Sequence, residues 1–331
     1  YARSNKPLAL SPSGCKATVQ AGGQTCDAVE GAKNFWVQAG RQENLNLATF
    51  SVRTLSSEAS LAVLFEELEG LQRNVIGLGV VRRTRKAYTV LKNGHVLCYC
   101  RLVDKKKLGV EFLIHKNIAA NNKEYYSISE RVASIIIKFN KRYKMNVEQA
   151  YAPTSSHDDH LVERFYEDIE SAINEGKSQY TILMGNFNAR VGKKQAGDYA
   201  VGENGISSRN ARGELLVEFA ERNNLPILNT LFRKQAKSKW TWSSLNKKTN
   251  NEIDFILCAY PGIVQDVEVV GKIRCSGHRI VRARIPLDLT KQRQKLICKK
   301  LINQLAVRGE VQEFGVLLQN RFEALNEALT Q

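Results

Sequence analysis

The chain has 331 residues, 43 % hydrophobic and 25 % charged, enough for one large domain of roughly 200–250 residues with extensions. Lys and Arg outnumber Asp and Glu by 49 to 33, and the net charge of +16 favours polyanionic partners, because each cation docked on a phosphate releases counterions. No apolar run approaches the roughly 20 residues that span a bilayer, no signal-peptide pattern opens the chain, and the seven cysteines form no CxxC pair.

A nuclear or cytoplasmic location is therefore expected rather than secretion. The chain opens on Tyr1 rather than Met, so a fragment is expected. Residues 1–43, rich in Gly, Ser, Lys and Gln, read as a flexible basic leader. The apolar run 45–52 suits a buried strand, and Ser56-Ser57-Glu58 suits a helix start. Leu61, Leu64, Phe65, Leu68 and Leu71 then recur at helical spacing. Residues 75–81 read as the next buried strand. Residues 87–91 and 96–100 flank Asn93-Gly94, a strong hairpin signal.

Further strands are expected at 110–114, 132–139 and 147–151, and a helix opens between Ser155 and Asp158. Residues 181–184 read as a buried strand, Leu215, Leu216 and Phe219 mark a helix, and 227–229 read as a strand. Strands at 240–243 and 253–257 bracket a polar turn; 264–270 and 280–285 complete the series. Roughly ten strands and three or four helices imply two sheets packed face to face with helices outside. Residues 44–286 form this domain, and 287–331 read as a basic helical extension carrying Lys291, Arg293, Lys295, Lys299 and Lys300.

Three motifs carry the chemistry. Gly185-Asn186-Phe187-Asn188-Ala189 follows an apolar strand, where α/β sheets bind ligands. Asn251-Glu252-Ile253-Asp254-Phe255 places a carboxylate inside an apolar strand, and Ser276-Gly277-His278-Arg279 precedes the last strand. Singly, each has a bland alternative, since Asn-rich turns are common loops and a lone His is more often structural than catalytic. Their order gives them meaning.

Together with Ser51-Val52-Arg53-Thr54-Leu55, Ile76-Gly77-Leu78, Tyr151-Ala152-Pro153-Thr154, Arg212-Gly213-Glu214-Leu215-Leu216 and Trp240-Thr241-Trp242, the motifs resemble the Mg²⁺-dependent endonuclease/exonuclease/phosphatase superfamily. The likeness runs over about residues 47–285 and extends to the apurinic-endonuclease-like domain of RTE-type non-LTR retrotransposons. It implies an α/β fold of DNase I type, a four-layered sandwich of two mixed sheets flanked by helices. It also implies hydrolysis of a DNA phosphodiester with Mg²⁺ as cofactor, and a reverse transcriptase downstream that this chain lacks. By the same resemblance Tyr151 would lie near the scissile phosphate and Asn188 would donate to the reacting group. Asp254 matches the family's strand Asp, and His278 the motif His that contacts the phosphoryl oxygen.

Four positions depart from the pattern. Ser51 stands for the family's first-strand Asn, and Val80 for its metal-binding Glu. Asn186 replaces the carboxylate of the Gly-Asp-Phe-Asn motif, and Gly277 replaces the Ser-Asp-His carboxylate that would orient the His. Mg²⁺ wants oxygen ligands at roughly 2.0–2.1 Å. Val80 and Gly277 offer none, and Asn186 cannot take a proton from water near neutral pH. Up to three negative charges are lost, so a retrotransposon-derived DNA endonuclease with lost or severely reduced activity is expected. A still-active Mg²⁺-dependent endonuclease and a non-catalytic nucleic-acid or protein interaction module are its rivals. Trp240 and Trp242 read first as core packing and second as a stacking platform for nucleotides. Arg82 and Arg83 read equally as a phosphate contact and a solvated loop. His157-Asp158-Asp159-His160 reads as a helix start rather than a metal site.

Overall fold

The computed structural model describes residues 43–52, 55, 57–81, 88–99, 109–119, 122–139, 143–176, 178–271 and 276–287. The expected leader, nearly all of the basic extension, Arg82 and Arg83 lie outside the described residues. Apart from Leu287, the described residues fall in one compact unit that ends at Pro286.

The first half is built on one β-α-β turn of chain. Strand β1 (Glu43–Ser51) is buried almost throughout and runs into helix α1 (Glu58–Glu67). Ser57 caps that helix: its hydroxyl accepts from the Ser60 amide at 3.1 Å, and the Ser60 hydroxyl accepts from the Ser57 amide at 3.2 Å. Leu61 and Leu64 turn inward, and β2 (Val75–Gly79) returns parallel to β1. The Asn93-Gly94 hairpin forms as expected, with Gly94 at φ 81° between β3 (Tyr88–Val90) and β4 (Val96–Tyr99). Next come β5 (Val110–Ile114), the short helix α2 (Lys116–Ala119), and the antiparallel run β6 (Asn122–Ser127), β7 (Val132–Lys138) and β8 (Lys144–Tyr151).

A second β-α-β turn follows. Helix α3 (Asp159–Gly176) carries the chain back so that β9 (Tyr180–Asn186) lies parallel to β8. Helix α4 (Ala211–Arg222) is capped by the Asn210 side chain, which accepts from the Gly213 amide at 2.9 Å. The chain ends in the short pair β10 (Trp242–Ser243) and β11 (Asn250–Asn251), then β12 (Asp254–Cys258), β13 (Asp266–Val270) and β14 (Ile280–Leu287).

Two large sheets result, one ordered β13-β14-β1-β2-β5-β4-β3 and the other β12-β9-β8-β7-β6, beside the β10-β11 ribbon. Strands β1 and β2 face β8 and β9 across the seam. Leu61, Leu64 and Leu68 pack on the far side of the first sheet, against Ala48, Phe50, Ile76 and Leu78. On the far side of the second, Phe165 and Ile169 of α3 and Leu216 and Phe219 of α4 cover Ala150, Leu183 and Phe255. Helix, sheet, sheet and helix make four layers.

Three sequence expectations need correction. Residues 227–229 are no strand: Ile227 makes a single bridge to Leu257, and Leu228–Thr230 is a 3₁₀ turn. The Asn229 side chain takes the place of a ladder there, accepting from the Ile256 amide at 3.0 Å and donating to the Asp254 carbonyl at 3.1 Å. The strand expected at 240–243 shrinks to Trp242–Ser243, which pairs with Asn250–Asn251. Strand β6, polar but for two tyrosines, is absent from the expected series; pairing with β7 makes it a strand.

The seam is tight at Gly77, where an added Cβ would sit 1.9 Å from Gln149 Oε1. Gln149 has no room to retreat: it is fully buried and accepts from the Thr49 hydroxyl at 3.1 Å. Gly77→Ala should therefore lower stability by about 1–3 kcal/mol, read as the urea midpoint of unfolding.

His95 is buried at the end of the β4–β5 pair where Val96 meets Ile114, its ring 4.5 Å from that of His115, and its Nδ1 accepts from the Lys116 amide at 3.3 Å. Burial first, then the nearby His115, Arg73 and Lys116, push its pKa down to about 4. A histidine depressed on folding adds stability above its unfolded pKa near ~6.5, and that stability is lost as pH falls through about 4. Between pH 6.5 and 4 the parent chain should lose urea resistance faster than His95→Phe; parallel curves would refute this.

Candidate active site

Strand register collects the candidate residues. The parallel pair β1–β2 ends with Ser51 opposite Gly79, and the parallel pair β8–β9 ends with Tyr151 opposite Asn186. Strand β12 runs antiparallel to β9 and begins with Asp254 opposite Asn186. The two β-α-β turns thus deliver Ser51, Tyr151, Asn186 and Asp254 to one edge of the sandwich, the carboxyl ends of the parallel strands.

Asp254 is the centre of this group and is wholly buried. Its Oδ1 accepts from the Ser51 hydroxyl at 3.2 Å, and its Oδ2 lies 2.9 Å from His278 Nδ1. A carboxylate only accepts, so Nδ1 is the protonated nitrogen of His278 and Nε2 is left as the acceptor. The superfamily pattern assigns the orienting of His278 to position 277. Asp254 performs it instead, and Gly277 contributes backbone alone.

Thr241, which sequence reasoning did not single out, holds this pair in place. Its buried hydroxyl accepts from the amides of Ile253 and Asp254 at 3.0 and 3.1 Å, and its carbonyl accepts from the Arg279 amide at 2.7 Å. One residue thereby ties the Asp254 strand to the His278 segment. Ser276 supplies a second tie, donating to the Ser51 carbonyl at 2.6 Å and accepting from the His278 amide at 3.1 Å.

The Asn186-Phe187-Asn188 turn is braced internally and against the end of β8 and the start of β12. Asn186 Oδ1 accepts from the Asn188 amide at 2.8 Å, and Asn188 Nδ2 donates to the Ala152 carbonyl at 2.8 Å. Asn188 adopts φ 48°, which Asn tolerates better than most residues. Tyr151 lies beside Gly79, where an added Cβ would come 3.4 Å from its ring and 3.5 Å from Ser51 Oγ. Arg131 sits 5.9 Å from the Tyr151 ring centroid and donates to the Tyr151 carbonyl at 3.3 Å.

The remaining positions bring little oxygen. Val80 is half-buried and follows Gly79 at φ 66°. At Gly277 an added Cβ would stand 3.1 Å from the Ser243 carbonyl and 3.7 Å from Trp242 Nε1. Among the described residues no group of three or more His, Cys, Asp or Glu side chains could hold a metal ion. Trp240 and Trp242 do not share a strand face, because only Trp242 lies in a strand. Trp240 is half-buried under the Arg279 guanidinium, 4.5 Å from its ring centroid, and Trp242 bridges to His278.

The comparisons with known proteins agree with this architecture. The chain is 27 % identical over 257 residues to craniofacial development protein 2 of Bos taurus, matching 75 % of this chain and 42 % of that protein. It therefore spans less than half the length of the curated relatives it matches. No family model matches the chain. Among solved structures, the 3′ phosphatase NExo from Neisseria, bound to product DNA hairpin, superposes with a TM-score of 0.56 at 15 % identity, over 73 % of this chain and 100 % of that one. The endonuclease domain of TRAS1, a telomere-specific non-LTR retrotransposon, gives 0.52 at 11 % identity, over 74 % and 99 %. The fold is DNase I-like, as in endonuclease/exonuclease/phosphatase proteins, and the resemblance read from the sequence is borne out.

A β-branched residue in the left-handed region is strained by about 1–3 kcal/mol. Val80→Asn, which tolerates that backbone, should raise the urea midpoint by the equivalent of about 1 kcal/mol. A lower midpoint would show that the Val80 contacts outweigh its strain.

Proposed function

We propose that a chain with this fold binds DNA at the Asp254–His278 edge as a retrotransposon-derived endonuclease domain whose Mg²⁺-dependent cleavage is lost or severely reduced. One observation carries the proposal. Asp254 is the carboxylate at the centre of the edge, and its two oxygens are engaged by Ser51 and His278. The other positions that the superfamily resemblance marks for carboxylates hold Val80, Asn186 and Gly277. Asn186 Oδ1, the one amide oxygen among them, already accepts from Asn188. This donor set does not fit Mg²⁺, a hard cation that favours anionic oxygens.

The residues present suit phosphate binding better than hydrolysis. In this reading His278 Nε2 meets a phosphoryl oxygen, and the half-buried Arg279, next in the chain, lies against the Trp240 ring beside it. Exposed Lys247 and Lys248 follow in the β10–β11 connection, beside Leu245, which is 84 % exposed. A general base is worth ~10²–10⁴-fold, and none is placed to take a proton from an attacking water apart from His278 itself. A second reading, residual nuclease activity, draws its support from the 2.9 Å Asp254–His278 bond, which presets the imidazole.

Plasmid nicking in Mg²⁺ and Mn²⁺ separates the two readings. The parent chain should bind duplex DNA with an affinity that falls steeply with salt and should leave supercoiled plasmid intact. Val80→Glu, Asn186→Asp and Gly277→Asp combined should restore metal-dependent nicking by ~10²-fold or more. The Cβ introduced by Gly277→Asp asks the Ser243 carbonyl, 3.1 Å away, to give by a few tenths of an ångström. Nicking by the parent chain that His278→Ala abolishes would establish the second reading. A folded but inert triple variant would overturn the diagnosis of the missing carboxylates.

A further inference from the structure

We infer that Lys239 and Glu252 form a buried positioning pair that locks the loop after Asn188 onto the strand bearing Asp254. The inference rests on the reading of Asp254–His278 as the functional centre. Lys239 ends the 3₁₀ turn Ala236–Ser238, and Glu252 lies two residues before Asp254. Their charged atoms are 3.9 Å apart, with side chains 4 % and 3 % exposed. Burying two charges is expensive, and an apolar pair of similar volume packs as well or better. The contacts of this pair show what the charges achieve.

Lys239 Nζ donates to the Asn229 carbonyl at 2.6 Å and to the Asn204 carbonyl. The Glu252 carboxylate accepts from Asn229 Nδ2 at 3.4 Å and from the Ile206 amide. Asn204 and Ile206 belong to the loop that continues from the Asn186–Asn188 turn, and the same loop is laced to the Leu228–Thr230 turn by Gly202 N to Thr230 Oγ1 at 2.7 Å and Asn204 N to Thr230 O at 2.9 Å. Asn229 is the lever. Its amide group holds the Asp254 carbonyl at 3.1 Å and the Ile256 amide at 3.0 Å, while its backbone carbonyl is held by Lys239. A displacement of Lys239 thus reaches Asp254 through one residue, and His278 through Asp254. Burial lifts the Glu252 carboxyl and Lys239, Asn229 and the Ile206 amide oppose the rise, leaving it at about 7, so the carboxylate depends on these same donors. Neither charge touches the Asp254–His278 edge itself; both act through Asn229.

The test reads the position of His278 directly, without relying on cleavage. In the full chain with ¹⁵N-labelled histidine, the Nδ1-bound proton of His278 is assigned by its disappearance in His278→Ala. Lys239→Met and Asn229→Ala should each lose or displace that signal. Leu64→Ala, which destabilises the opposite helix layer, should keep it at a matched loss of thermal stability. If Lys239→Met does not fold, Glu252→Gln replaces it, with the same displacement expected. A folded variant of the pair with an unchanged His278 signal overturns the inference, as does equal loss of the signal in Leu64→Ala. Failure of the functional reading looks different: His278→Ala would then leave DNA affinity and plasmid nicking as in the parent, while the spectra still decide the positioning role.

Discussion

The structure at the functional edge depends on how one buried carboxylate is satisfied. Asp254 has no access to water, and an ionised group in that setting persists only when hydrogen-bonded on its lone pairs. Ser51 donates from the end of one sheet, and His278 donates from the segment that leads into that sheet's strand β14. The strand carrying Asp254 belongs to the other sheet. A single side chain therefore fastens both sheets together where their parallel strands end. Ser276 closes the circuit by bonding both the Ser51 carbonyl and the His278 amide.

Away from that edge the same seam is apolar, with Leu45, Leu47, Met145 and Val147 fully buried. The Thr49–Gln149 bond is a polar tie of a different kind, neutral and local, and it is accommodated by the absence of a side chain at Gly77. The two ties differ in what they demand. Thr49 and Gln149 satisfy one another and hold register. Asp254 needs donors from separate segments, so its neighbours must be placed correctly before it is stable, and the placing falls to Thr241 and Asn229.

Most of the scaffold was legible in the sequence because its elements bury whole faces. The helical spacing of Leu61, Leu64 and Leu68, the Asn93-Gly94 turn and the largely apolar runs of β2, β5 and β9 each carry their own local signal. The signal failed where side chains, not periodicity, set the backbone. Residues 227–229 look like strand, yet the Asn229 amide group supplies the bonds that a neighbouring strand would have made, and the chain is free to turn. For the site, the motif order singled out Ser51, Tyr151, Asn186, Asp254 and His278, which strand register and the Asp254 bonds bring to one edge. It misplaced the partner of His278, because a contact across 24 residues leaves no local trace. Glu252 lies inside one of the three motifs without a role of its own there; a charge beside an apolar strand was the available clue.

The proposed loss of carboxylates has a consequence for stability as well as for chemistry. Several acidic side chains converging on one point repel one another, raising their pKa values unless a cation or donor offsets the charge. With Val80, Asn186 and Gly277 in those places, the repulsion is absent, and Asp254 finds its compensation in a hydroxyl and an imidazole. Such a site keeps its geometry without a counter-ion. A phosphate approaching it meets fewer like charges than it would at a carboxylate cluster, and the +16 surplus of the whole chain adds long-range attraction. The same substitutions that weaken the case for turnover therefore strengthen the case for binding, and both follow from the number of anionic oxygens at one edge of the sandwich.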